Sequence, residues 1–122
     1  MKHVILVSHG TFAPGLHNAL NMLAGAKKEE LKSTSLQDGM GIDIFENNFT
    51  DLIKDITEKD KIVLLADIIG GSPMTAALNI LTEKGFIKNT AAFGGMNLSM
   101  GLTAVLEDEH DMEAVKKAIL SE

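Results

Sequence analysis

The chain has 122 residues, 45% hydrophobic and 23% charged, a balance that fits one domain over residues 1–122 and excludes a disordered or fibrous chain. A net charge of −6, with the cationic pair Lys27-Lys28 cancelled by Glu29-Glu30, excludes the basic footprint of a nucleic-acid binder. With no cysteine, disulfides, thiol nucleophiles and thiolate-held metals are excluded, and no apolar run approaches the ~20 residues that span a bilayer, so the expected location is the cytoplasm.

The first element is the run Val4-Ile5-Leu6-Val7, continuously apolar and rich in β-branched residues, as in a strand buried on both faces. It is too short for a signal-peptide core and is ended by Ser8-His9-Gly10. A helix follows with Phe12, Leu16, Ala19, Leu20 and Leu23 on one face, closed by Gly25 and the charged run Lys27 to Glu30. Residues 31–36 read as a second strand whose polarity places it at a sheet edge. Gly39 and Gly41 flank a turn, after which Ile42, Phe45, Phe49, Leu52, Ile53 and Ile56 recur at helical spacing.

Lys61 to Ala66 is the second clearly buried strand, ending at Asp67. Ile68 to Pro73 forms the next turn, with Ser72 as the expected N-cap and Pro73 at the first helical position. That helix carries Ala77, Leu78 and Leu81 and stops at Gly85. Residues 89–93 make a fourth strand before Gly94-Gly95. A helix with Leu98, Leu102, Val105 and Leu106 follows, then a last one opened by Asp111 with Met112, Val115 and Ile119. The alternation implies an α/β fold: a small, doubly wound, mainly parallel sheet of four strands in order 2-1-3-4, with helices on both faces. Ligands of such sheets sit beyond the carboxyl ends of the strands, where the order reverses. The reversal falls between the strands that end in His9 and Asp67.

His9, at the end of a buried strand and before a glycine, is the candidate nucleophile. Asp67 by itself reads as the cap of its own turn. Beside His9, a carboxylate accepting Nδ1–H would fix the imidazole tautomer and leave the Nε2 lone pair free to attack. Gly70, Gly71 and Ser72 open a helix, where free amides and a hydroxyl form an anion cradle. It is not a P-loop, because no lysine follows and the glycine spacing is wrong. A nucleophilic histidine, its orienting carboxylate and an oxyanion cradle suit transient phosphorylation of His9. His3 and His17 read as structural, His17 on the surface. The acidic run Glu107 to Asp111, with His110, reads as a solvated loop rather than a metal site. No cofactor or metal is implied, and with no Trp or Tyr the chain lacks the ring platforms that hold free sugars.

The segments Ser8-His9-Gly10, Asp67-Ile68-Ile69-Gly70-Gly71-Ser72-Pro73 and Gly95-Met96-Asn97-Leu98 resemble the IIA domain of the mannose-family phosphoenolpyruvate-dependent sugar phosphotransferase system, over residues 2 to about 120. The resemblance implies that His9 accepts a phosphoryl group on Nε2 from the phosphocarrier protein HPr and passes it to the IIB component. The IIC and IID membrane components then move and phosphorylate the sugar. It implies that Asp67 orients His9 and that Gly70, Gly71 and Ser72 bind the phosphate.

Two departures stand out: Ile69 replaces a frequent aromatic before the glycine pair, and Asn97-Leu98-Ser99-Met100 replaces a frequent Asn-x-Pro-Met. A homodimer is compatible with the resemblance, although no apolar segment follows the last helix to form the exchanged strand common in mannose-type IIA domains. Two rivals share features of the pattern. One is the phosphoryl-donor subunit of a dihydroxyacetone kinase system. The other is a receiver-like signalling domain, which would need an acidic pair where this chain has Ser8-His9.

Overall fold

A computed structural model describes residues 1–25, 30–107 and 112–121 of the chain. In order, the elements are β1 (Lys2–His9), α1 (Phe12–Ala24), β2 (Leu31–Leu36), α2 (Ile42–Leu52), β3 (Lys61–Ala66), α3 (Ser72–Glu83), a 3-10 turn (Ile87–Asn89), β4 (Thr90–Phe93), α4 (Leu98–Leu106) and α5 (Met112–Leu120). The strands form one sheet in the order β2-β1-β3-β4, with every pair parallel. The expected topology and the polar edge strand are both present. The run Lys27 to Glu29, the segment Asp108 to Asp111 with His110, and the start of the last helix at Asp111 lie outside the described residues.

Period-two alternation divides the apolar strand residues between two cores. Ile5, Val7, Ile62, Leu64 and Ala66 pack under α2 and α3, against Phe45, Phe49, Met74, Ala77, Ile80 and Leu81. Val4, Leu6, Val63 and Leu65 pack under α1, α4 and α5, against Ala13, Leu16, Leu20, Ala104, Val105, Val115 and Ile119. Each fully buried large apolar side chain contributes about 1.5–3 kcal/mol. The α1 and α4 helices approach closely because Gly101 has no side chain; a Cβ there would stand 2.8 Å from Leu20 Cδ1.

Several local expectations shift. The inward face of α1 is Ala13, Leu16 and Leu20, while Phe12 and Leu23 are exposed. The α2 helix ends at Leu52, and Ile53 and Ile56 are buried from the turns that follow it. On α4, Ala104 and Val105 are buried while Leu98 and Leu106 face outward. The β1 strand reaches back to Lys2, whose buried ammonium donates to the Val105 and Glu107 carbonyls at 3.4 and 2.6 Å. A cation at the carbonyl end of α4 complements the helix dipole. Gly85 stops α3 as expected: with φ of 82° it lets the Phe86 and Gly85 N–H groups reach back to the Leu81 and Thr82 carbonyls at 2.9 and 3.1 Å, a Schellman closure.

Candidate active site

Seven consecutive buried residues, Lys2 to Ser8, carry β1 through the sheet, and His9 is the first to emerge, with 45% of its side chain exposed. Parallel pairing sets Val7 beside Ala66, so Asp67 follows β3 at the level where His9 leaves β1. One carboxylate oxygen, Asp67 Oδ2, accepts both the backbone N–H of His9 and its ring Nδ1–H, each at 2.9 Å. The other, Oδ1, accepts the Ile68 N–H at 2.9 Å. Asp67 therefore caps its own turn and holds His9 at once.

Burial alone would raise the Asp67 pKa. The hydrogen bonds from the His9 backbone, the His9 ring and the Ile68 N–H outweigh it and hold the carboxyl below its ordinary value. An ionised carboxylate only accepts, so Nδ1 carries the proton and Nε2 of the neutral ring keeps its lone pair. The bond holds the imidazole in the tautomer that leaves Nε2 unprotonated and able to act as a nucleophile.

The β1 end is braced from below by a residue the sequence reading passed over as a site residue. Ser8 Oγ accepts the Ala13 N–H at 2.7 Å and donates to the His9 carbonyl at 3.1 Å. It thereby satisfies one of the orphan amides at the start of α1, where Thr11 supplies no side-chain cap. The available signal was a lone hydroxyl in an apolar strand five residues before a helix amide.

The turn after β3 is locked to the turn after β4. Gly95 N–H donates to the Asp67 carbonyl at 3.1 Å and Met96 N–H to the Ala66 carbonyl at 3.0 Å. Gly94 makes room for Ile69, whose Cγ1 a side chain there would overlap. Gly70 takes φ of 78°, so glycine is needed there for the backbone path.

The N-cap of α3 is Gly71, not Ser72; Ser72 is the first helical residue and Pro73 the second. The shift has a simple origin, because the strand-to-helix turn closes one residue earlier than capping preference alone suggests. No side chain caps this end, and the first intrahelical bond is Thr75 N–H to the Gly71 carbonyl at 3.0 Å. The Ser72 and Met74 amides thus lack an intrahelical acceptor.

His9 bonds to Asp67, and its ring stands beside Gly71, where a Cβ would be 3.1 Å from Cε1. His9 opens into a cleft of about 380 Å³ walled by Leu36 to Met40. Gly70 and Ser72 line a neighbouring cleft of about 370 Å³ between α2 and α3, with Glu46 and Asn79. The other histidines lie elsewhere. His3 is buried at the opposite end of β1, about 20 Å away at the strand's rise, with Nε2 3.3 Å from Asp60 Oδ2. His17 is half-buried rather than on the surface, and its Nδ1 meets Ser33 Oγ at 2.6 Å, tying α1 to β2. Burial holds the pKa of both below the ordinary 6.5; Lys32 adds to this at His3, against the pull of Asp60. Among the described residues, no three His, Asp or Glu side chains gather to hold a metal ion, and no helix is long and apolar enough to cross a membrane.

The family model EIIA-man, PTS system fructose IIA component, matches residues 3–120. A fructose-specific EIIA component of Bacillus subtilis (strain 168) is 30% identical over 110 residues, spanning 90% of this chain and 73% of that protein. The phosphotransferase system component EIIA from Streptococcus agalactiae superposes with a TM-score of 0.83 at 24% identity, covering 99% of this chain and 91% of that one. The mannose/sorbose-specific IIA subunit from Enterococcus faecalis gives 0.82 at 20% identity, covering 99% and 89%.

Proposed function

The chain belongs to the EIIA-man family of sugar phosphotransferase system IIA components, and on that premise we propose that it carries a phosphoryl group on His9 Nε2, between phospho-HPr and a IIB component. The observation that carries this reading is the Nδ1 bond to Asp67 at 2.9 Å on a ring nearly half exposed at a strand end.

In the step proposed, the Nε2 lone pair attacks the phosphorus held on the donor's histidine. A P–Nε2 bond forms as the donor's P–N bond breaks, and that electron pair stays on the donor imidazole. No proton has to move, because the Nδ1 proton stays on the ring, hydrogen-bonded to Asp67, whose carboxylate offsets the positive charge the ring acquires. Transfer to IIB is the reverse, with the acceptor's imidazole as nucleophile. The Ser72 hydroxyl and the uncapped α3 amides are the groups proposed to receive the phosphoryl oxygens.

Two surface features suit a relay between proteins. Phe12, Ile42, Ile68, Ile69 and Leu98, each 39% or more exposed, all stand in turns or first helical turns at the His9 end of the sheet. The charges there are carboxylates, Asp38, Asp43, Glu46 and Asp67. The described lysines open strands (Lys2, Lys32, Lys61), lie in the connections into them (Lys54, Lys59, Lys84, Lys88) or sit on α5 (Lys116, Lys117). An apolar rim with acidic surroundings fits basic carriers that dock briefly in turn.

With phosphoenolpyruvate, enzyme I and HPr, the wild type should gain one phosphoryl group, lost in acid and kept in alkali, and His9→Ala none. A fully phosphorylated His9→Ala protein would remove His9 from the proposal.

A further inference from the structure

We propose that Gly71 is a positioning residue for the phosphoryl transfer, its missing side chain forming the seat against which the His9 ring is held. This rests on His9 as the phosphoryl carrier and adds what backs the ring at Cε1, beside the nitrogen that Asp67 grips.

The backbone does not explain the glycine. Gly71 has φ of −73° and ψ of 165°, ordinary extended values that any residue adopts. Its neighbour Gly70 differs in both respects: φ is 78°, and a Cβ built there meets nothing within 4 Å. Helix capping does not explain it either. At an N-cap, Asn, Asp and Ser are preferred over Gly because their side-chain oxygens accept a first-turn amide. The next helix of the same fold uses that device: Asn97 Oδ1 accepts the Met100 N–H at 2.9 Å.

What a side chain at residue 71 would meet is the catalytic ring. A Cβ there would stand 3.1 Å from His9 Cε1, tighter than ordinary contact, whereas its other neighbours, Ile68 O and Cβ, are at an unstrained 3.6 and 3.7 Å. Only the imidazole would have to yield. Cε1 is bonded to both ring nitrogens, so pushing it either draws Nδ1 off Asp67 or swings Nε2 from its line of attack. The ring is gripped at Nδ1 by a bond of 2.9 Å and backed at Cε1 by a bare backbone. Displacements of a few tenths of an ångström weigh on an in-line transfer, since a misplacement of about 1 Å can cost about 10²-fold in rate.

The test uses the full chain with Gly71→Ala and Gly71→Ser. Both should fold, with Gly71→Ser melting at or above the wild type because it gains a capping oxygen. The maximal rate of phosphorylation by phospho-HPr should fall about tenfold or more, with the KM for the donor unchanged. The ¹⁵N and ¹H signals of the His9 imidazole should shift in both variants with no donor present, which reads the seat without any chemistry. Wild-type imidazole signals and wild-type rates in the variants would overturn the proposal. So would loss of folding in both, because it would make Gly71 a structural requirement. A wild-type chain that takes no phosphoryl group on His9 would instead sink the carrier reading, and the imidazole comparison separates that case.

Discussion

Two helices of this protein leave the sheet by nearly the same route and begin in opposite ways. The α3 and α4 helices each follow a strand and a pair of glycines, Gly70-Gly71 and Gly94-Gly95, and in each pair one glycine takes positive φ. The α4 helix is closed by the Asn97 side chain; α3 has no side chain at its N-cap. A protein that caps one helix and leaves its neighbour open at the strand end holding His9 and Asp67 is not short of capping residues. The open end leaves the Ser72 and Met74 amides without an intrahelical acceptor and gives the histidine ring its space. Under the proposed function the capped end of α4 serves stability and the open end of α3 serves the transfer, and the two are interlocked through the bonds from Gly95 and Met96 to the β3 end.

The largest effect expected at the open end belongs to Asp67. Asp67→Asn keeps the size of the side chain but can present an amide N–H to Nδ1, favouring the wrong tautomer. Phosphorylation should slow by up to about 10⁴-fold, as for triad carboxylates, with the fold retained by circular dichroism. Rapid-quench measurement of wild-type rates in this variant would leave Asp67 as no more than the cap of Ile68.

Next comes the hydroxyl. Ser72→Ala should slow transfer by up to about 10²-fold as one donor to the phosphoryl oxygens is removed. Ser99→Ala, the exposed serine in the first turn of α4, should do nothing to the rate. Equal effects from the two would erase the functional distinction between the helix ends.

The closed end should answer in stability alone. Asn97→Ala orphans the Met100 N–H and should cost about 1 kcal/mol in denaturant unfolding, while phosphorylation of the folded protein keeps its rate. A slower transfer in Asn97→Ala would mean that α4 also positions the site.

The smallest expected effects are those of pH, and they separate the two ends of β1. His3 and His17 have folded pKa values below 6.5, so the unfolded chain binds protons that the folded one refuses. Their contribution is present above pH 6.5 and declines as pH falls from there towards the folded values. Asp60 and Asp67 have lowered carboxyl pKa values, and the stability they supply is held above the ordinary carboxylate range and lost only as pH falls through it. Unfolding free energies from pH 8 to 3 should show two successive declines, and His17→Gln, which removes an imidazole held against Ser33, should lessen the first alone. A curve flat from pH 7 to 5 would contradict the burial of these imidazoles.

Much of this was legible without coordinates. Hydrophobic periodicity is a local property: a run such as Ile62 to Ala66 has to be buried on both faces wherever it lies, and the polar run Leu31 to Leu36 suits only an edge. The order of elements, the parallel sheet and the ends of its strands at His9 and Asp67 follow from such runs and the turn residues between them. What each end touches does not follow. That one oxygen of Asp67 accepts two hydrogen bonds from His9, that residue 71 rather than 72 caps α3, and that Lys2 and His3 are buried depend on how strands far apart in sequence are registered and how helices are layered over them. Lys2 looks solvated until the carbonyls of α4 arrive over it, and Gly71 looks like a flexible lead-in until the His9 ring stands against it. Sequence alone determined which segments must be buried, because burial is decided residue by residue. The tertiary structure decided which polar groups meet, because a hydrogen bond or a contact of three ångströms requires two distant backbones to be placed to within a fraction of an ångström, and no local pattern carries that information.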